Sequence, residues 1–237
     1  PNTRVVLINT PNNPTGAVYS EESLRRLAAL AVERDFVILS DEIYEKLVYG
    51  GAKHFSVASI SEEVKKHTVI INGVSKAYAM TGWRLGYAAG DTQLIKGMNA
   101  LQSHATHAPC SIAQYASLEA ICGPQDSVET MRQEFERRRD YLFGRLNAMP
   151  GVRCPHADGA FYLMPTISGL FGKKTPDGKV LQNSDDVAGY LLEEARIAVA
   201  PGAAFEAPES IRISYANSME ELTRGMDQME AALGKLG

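Results

Sequence analysis

No apolar run in this 237-residue chain approaches the ~18 residues that a membrane-crossing helix needs, so no spanning helix and no membrane partner are expected. Cysteine is scarce. Cys110, Cys122 and Cys154 are odd in number and far apart, which excludes a disulfide framework and any CxxC metal or redox motif. A reducing compartment, the cytoplasm, is implied. Charge of one sign is lacking too, with 24 Lys+Arg against 28 Asp+Glu and no basic block longer than Arg137-Arg138-Arg139. Such a surface cannot neutralise a row of phosphates, so no nucleic-acid partner is expected, and the three arginines read as a solvated helix face. Of the five histidines only His104 and His107 share a ligand-like spacing. No cysteine or carboxylate pair completes a zinc set around them, and no metal is expected. No signal peptide is visible and none is expected, and no internal repeat or low-complexity segment appears.

What is present is a globular composition, 45% hydrophobic and 22% charged. At about 100–200 residues per domain, the length suits one large or two modest domains. Arg4 to Asn9 is a short β-branched run, read as a strand buried on both faces and closed by the turn cluster Pro11 to Gly16. Ser20 can cap a helix with Glu21 and Glu22 in its first turn and Leu24, Leu27 and Ala31 at helical spacing. Phe36 to Leu39 follows as a strand, which completes a βαβ unit with parallel strands. Val69 to Ile71 and Leu85 to Ala89 supply two more strands.

From Ser111 the pattern turns helical, with Ser111 and Gln114 read as one capping box and Asp126 with Glu129 as another. The second of these helices carries Val128, Met131, Phe135, Leu142, Leu146 and Met149 and stops at Pro150-Gly151. Short strands are expected at Ala160 to Met164, Ile197 to Ala200 and Ile211 to Ser214, between helices capped by Ser184 and by Ser218 with Glu221. Gly172 to Gly178 reads as a polar turn. The expected division is residues 1–126, a connecting helix over 127–150, and an α+β lobe over 151–237.

Three turn-rich segments follow predicted strands: Asn13-Pro14-Thr15-Gly16, Asp41-Glu42-Ile43-Tyr44, and Ser75-Lys76 with Thr81-Gly82-Trp83-Arg84. Ligands of open α/β sheets gather at the carboxyl ends of parallel strands, so an amide, a carboxylate, a phenol, a hydroxyl, an amine and a guanidinium could serve one ligand. Taken singly, each has a plain structural explanation as a turn, a cap, a strand end or a surface charge.

In this order the motifs resemble those of the fold-type I pyridoxal phosphate enzymes, specifically the class I/II aminotransferases of the bacterial aspartate branch. The likeness runs through Pro11 to Gly16, Asp41 to Tyr44 and Ser75 to Tyr87. It continues through Gly159 to Tyr162, Val199 to Gly202 and Ile211 to Ala216. The resemblance implies an α/β fold: the C-terminal part of the large domain, a mostly parallel sheet with helices on both faces, plus an α+β small domain. It further implies that Lys76 holds pyridoxal 5'-phosphate as a Schiff base and later moves a proton, and that Asp41 pairs with the pyridine nitrogen. Asn13 and Tyr44 would donate to the phenolic oxygen, Ser75 and Arg84 would bind the phosphate, and Arg212 would clamp the substrate α-carboxylate. Tyr78, Trp83 and Tyr87 are read as packing residues, and Tyr162 and Phe205 as core or pocket wall.

The implied reaction is transamination between an amino acid and a 2-oxo acid, aspartate and 2-oxoglutarate first, aromatic amino acids or prephenate next, by a homodimer. Family members carry an N-terminal part before the turn that bears Asn13, with a phosphate loop, a ring-stacking aromatic and a tyrosine from across the dimer. This chain is therefore expected to be a C-terminal portion that binds the cofactor weakly alone. Another reaction on the same fold, a C–S lyase or a decarboxylase, is the alternative, as is the aminotransferase-like sensor lobe of a transcription regulator.

Overall fold

A computed structural model describes residues 2–237. The chain divides into two compact units. The first comprises residues 1–12 and 17–132, and the second residues 13–16 and 133–237.

In the first unit, β1 (Val5–Asn9), β2 (Val37–Asp41), β3 (Thr68–Gly73) and β4 (Gly86–Ala89) form one sheet in that order. β1 and β2 run parallel with Val5 opposite Val37, and β2 and β3 are parallel with Ile38 opposite Thr68. β4 closes the sheet antiparallel to β3, so the sheet is predominantly, not wholly, parallel. Helix α1 (Glu21–Arg34) joins β1 to β2. Its start is fixed by Ser20, whose side chain accepts from the Ser23 N–H, and Glu21 and Glu22 lie where carboxylates favour the dipole. Leu24, Ala28 and Ala31 of α1 pack with Ile8, Phe36, Ile38, Val57 and Val64 into one apolar core. The short α2 (Glu62–Lys66) leads into β3.

Two-sided burial of β1 does not hold. Ile8 is buried, but Val5 and Leu7 are 56% and 65% exposed. β1 is a sheet edge, and the core under α1 takes only one of its faces. A run of apolar residues shows that both faces can be covered, not that they are.

After β4 comes α3 (Thr92–Ala105), a helix absent from the sequence reading; Asp91 caps it by accepting from the Gln93 and Leu94 N–H groups. α4 (Ser111–Cys122) lacks the expected Ser111–Gln114 box: Cys110 occupies the cap position, and the Gln114 amide donates to the Pro109 carbonyl instead. α5 (Asp126–Ala148) likewise contains Asp126 as a helical residue, while the Gln125 carbonyl accepts from Val128 and Glu129. Trp83 and Tyr87, expected as packing residues, are 46% and 42% exposed.

In the second unit, β5 (Tyr162–Leu163), β6 (Ala200–Pro201) and β7 (Ile211–Ser214) form an antiparallel sheet of order β5-β7-β6, with α6 (Ser184–Ala195) and α7 (Met219–Leu233) beside it. β5 and β6 are shorter than the runs expected at Ala160 to Met164 and Ile197 to Ala200, because only these residues pair with β7. Asn183, not Ser184, caps α6, whereas Ser218 caps α7 as expected. Leu142, Leu146, Leu163, Ile167, Leu181, Leu191 and Tyr215 form the fully buried centre. Arg139 is buried too and donates to the Ala157 carbonyl, so the arginine triplet is not a wholly solvated face. No helix of the described residues is long and apolar enough to cross a membrane.

Candidate active site

In the first unit the chemistry-bearing residues lie where β2 and β3 end. Asp41 is the last residue of β2, and the chain there is tied on both sides. The Asp41 carbonyl accepts from the Thr10 N–H at 3.1 Å and the Asn9 side-chain amide at 3.2 Å, while the Glu42 N–H donates to the Ile71 carbonyl at 2.9 Å. The Asp41 carboxylate accepts from the Ile43 N–H at 3.1 Å. Burial raises the pKa of this carboxyl, the Ile43 N–H works against that, and the charge of Glu42 adds to the rise. A half-desolvated carboxylate of this kind favours a cationic partner.

Asp41 lines a cavity of about 320 Å³ with Ile43, Ile71, Asn72, Ser75, Arg84, Leu85 and Gly86. Three residues singled out from the sequence, Asp41, Ser75 and Arg84, thus share one cavity. The backbone is close-packed at its floor. A Cβ on Gly73 would lie 2.9 Å from the Leu85 carbonyl oxygen and 3.0 Å from the Gly86 Cα. Arg84 adopts a left-handed backbone (φ 54°) and donates to the Thr81 carbonyl at 2.8 Å. Lys76 and Tyr44 are not in the lining; they meet each other, with Nζ 5.9 Å from the centroid of the buried Tyr44 ring.

Glu42, next to Asp41, points to the other face of the strand and is 2% exposed. Its Oε1 accepts from the Ser40 and Ser56 hydroxyls, each at 2.9 Å, and its Oε2 lies 3.0 Å from His54 Nε2. Glu42, Glu45 and His54 also hold ligand-type atoms within 4.8 Å of one another. Glu42 and His54 spend those atoms on each other and on serine hydroxyls, which reads as a hydrogen-bonded cluster. Nothing in the sequence reading drew out this group.

In the second unit, Arg212 on β7 is held on three sides. Its guanidinium lies 4.7 Å from the Tyr162 ring centroid and 4.9 Å from that of Phe205, and Nη1 donates to Asn13 Oδ1 at 2.8 Å. The two rings and the amide restrict where the guanidinium can go, which favours two-point carboxylate recognition. Asn13 is placed by the turn it begins: the Gly16 carbonyl accepts from the Asp158 and Gly159 N–H groups at 3.0 and 2.9 Å. Tyr162 and Phe205, expected as core or wall, are the plates that hold this arginine.

The first unit's donor set fits pyridoxal 5'-phosphate. A desolvated carboxylate suits a protonated ring nitrogen, a hydroxyl and a guanidinium suit a phosphate, and an amine suits an aldehyde.

The family model described as aminotransferase class I and II matches residues 1–229. Among curated proteins, the aspartate aminotransferase of Bacillus sp. (strain YM-2) is 50% identical over 228 residues, 96% of this chain and 57% of that protein. A probable aspartate/prephenate aminotransferase of Rickettsia bellii is 45% identical over the full 237 residues, 59% of its own length. Among solved structures, the aspartate aminotransferase of Rhizobium meliloti superposes with a TM-score of 0.96 at 44% identity, covering 100% of this chain and 60% of that one. The chain thus spans a little under three fifths of the curated relatives it matches, and its mixed α/β architecture matches that of the solved aspartate aminotransferase. This chain belongs to the class I and II aminotransferase family.

Proposed function

We propose that the chain carries the lysine-bearing part of a pyridoxal 5'-phosphate-dependent aminotransferase, acting on aspartate with 2-oxoglutarate. The observation that carries the reading is the one cavity lined by Asp41, Ser75 and Arg84 together. The names of the curated relatives, aspartate aminotransferases among them, support the substrate.

When bound, pyridoxal 5'-phosphate supplies an electron-withdrawing ring that takes up the electron pair left when a bond to the substrate α-carbon breaks. The residues have separate tasks. Asp41 keeps a proton on the ring nitrogen by a charge-assisted hydrogen bond. Ser75 and Arg84 hold the phosphate, Arg84 as a fork of donors. Lys76 would hold the cofactor through its amine and, once free, would act as the base for the proton at the substrate α-carbon. Tyr44, whose ring lies beneath the Lys76 amine, donates from its hydroxyl to the phenolic oxygen, a role assigned to Asn13 as well. Arg212 holds the α-carboxylate in two-point geometry and so fixes which α bond is broken. A homodimeric assembly in the cytoplasm belongs to the same proposal, and the free thiols Cys110, Cys122 and Cys154 suit a reducing compartment.

Borohydride reduction after incubation with the cofactor, followed by peptide mapping, tests the reading. The adduct is expected on Lys76. Adding aspartate should release a 2-oxo acid without ammonia; ammonia would point to a lyase, and a decarboxylated amine product to a decarboxylase. An adduct spread over exposed lysines and missing from Lys76 would overturn the proposal.

A further inference from the structure

The Glu42 cluster is buried, polar and unused by the roles above. Strand alternation puts Asp41 and Glu42 on opposite faces of the end of β2, so Glu42 cannot enter the cavity that Asp41 lines. Its carboxylate instead gathers donors from three places: Ser40 on the strand itself, and His54 and Ser56 from beyond the turn that carries Tyr44. Both flanks of the Asp41–Tyr44 segment are thereby tied to one side chain. His54 Nδ1 is buried and makes no hydrogen bond among the described residues. A proton there would be a buried donor without an acceptor, so the geometry favours the tautomer that meets Glu42 through an Nε2–H donor.

We infer that Glu42 is a positioning residue for Asp41: it pins the end of β2 against the following loop and holds a fixed negative charge behind the carboxylate that faces the ligand cavity. The inference rests on the proposed role of Asp41 toward the cofactor. Its chemical consequence is stronger attraction for a cationic ring nitrogen, because the ligand then meets the field of two carboxylates rather than one. The same charge contributes to the raised proton affinity of Asp41 in the ligand-free chain.

The charged or titratable side chains on the surrounding segments are Glu42, Tyr44, Glu45, Lys46 and Tyr49 on the same run, Lys53 and His54 on the loop, Lys76, Tyr78 and Arg84 after β3, and Tyr87 on β4, which feels the charges of Glu45 and Glu42. Glu42→Gln changes the first of these and nearly preserves shape. The test follows the Asp41 side-chain carboxyl by carbon NMR through a pH titration of the ligand-free chain. In Glu42→Gln the midpoint should fall toward the ordinary aspartate value. Ser56→Ala keeps the charge and removes one of its donors, so the midpoint should rise. A purely structural role would move both variants in the same direction, and that result, or no movement in either, would overturn the inference.

Equilibrium titration with pyridoxal 5'-phosphate gives a second readout, in which Glu42→Gln should bind about tenfold more weakly, a change of about 1.4 kcal/mol. Unchanged affinity in a folded Glu42→Gln chain would count against the inference. If the unsubstituted chain takes no cofactor on Lys76, the functional reading fails instead, and the opposed shifts of Asp41 still decide the charge effect.

Discussion

Arg212 and Asn13, 199 positions apart in sequence, are joined by a 2.8 Å hydrogen bond from the guanidinium to the amide oxygen. The bonded guanidinium also lies over the Tyr162 and Phe205 rings. Lysine would keep the charge but lose the fork and the stacking. Arg212→Lys should therefore lower kcat/KM for a dicarboxylic amino acid by about 10–100-fold, the worth of one charge-assisted hydrogen bond of about 1.5–3 kcal/mol. Steady-state kinetics with aspartate checks this, and cofactor capture by Lys76 should be unaffected.

Asp41 binds its proton more tightly in the folded chain than its ordinary value of 3.8 implies. With more protons bound in the native state, stability falls as pH rises from that value through the folded one, and the cost stays in full above it. Asp41→Asn removes the titration. The variant should melt at a higher temperature than the parent at pH 7, with the gap closing toward pH values below 3.8, while losing cofactor-dependent turnover. Thermal melts across pH, in the absence of cofactor, give the comparison.

Gly16 has φ +70°, and a Cβ there would lie 2.5 Å from the Ala157 Cβ and 3.0 Å from the Gly159 carbonyl oxygen. The left-handed backbone and the overlap together should make Gly16→Ala cost about 2–4 kcal/mol. Urea denaturation measures it. An Arg212 weakened by movement of the Asn13 turn should accompany the loss.

Cys154 is buried, and desolvation pushes its thiol up to about 12, whereas Cys110 and Cys122 are exposed. At pH 8 a disulfide reagent should react promptly with the two exposed thiols and with Cys154 only on unfolding. Timed thiol counting in native and denaturing buffer distinguishes the classes.

Local chemistry was the legible part of the sequence. Caps such as Ser20 and Ser218 act on N–H groups three residues away, and the βαβ pattern of Arg4 to Leu39 needs only alternation and helical spacing. The mixed α/β class followed from these. Coverage was not legible. Whether Val5 and Leu7 meet a partner depends on what stands beside an edge strand, which the strand's own residues do not encode. α3 was missed although Asp91 is a cap and Leu94, Met98 and Leu101 recur at helical spacing; none of its residues is buried, so no core signal separated it from a loop. The setting of Arg212 draws on residues 13, 162, 205 and 212, and only the folded chain brings side chains so far apart together.

The alternation of Ser40, Asp41 and Glu42 carries a constraint on how this gene can change. Point substitutions along β2 alter one face at a time. Loss or gain of a single codon between Phe36 and Asp41 would exchange the faces, turning Glu42 toward the ligand cavity and burying Asp41 among the serines and His54. Two acidic neighbours that look interchangeable in sequence are thus kept distinct by strand register, and one-codon indels in this strand should be absent from any functional variant library.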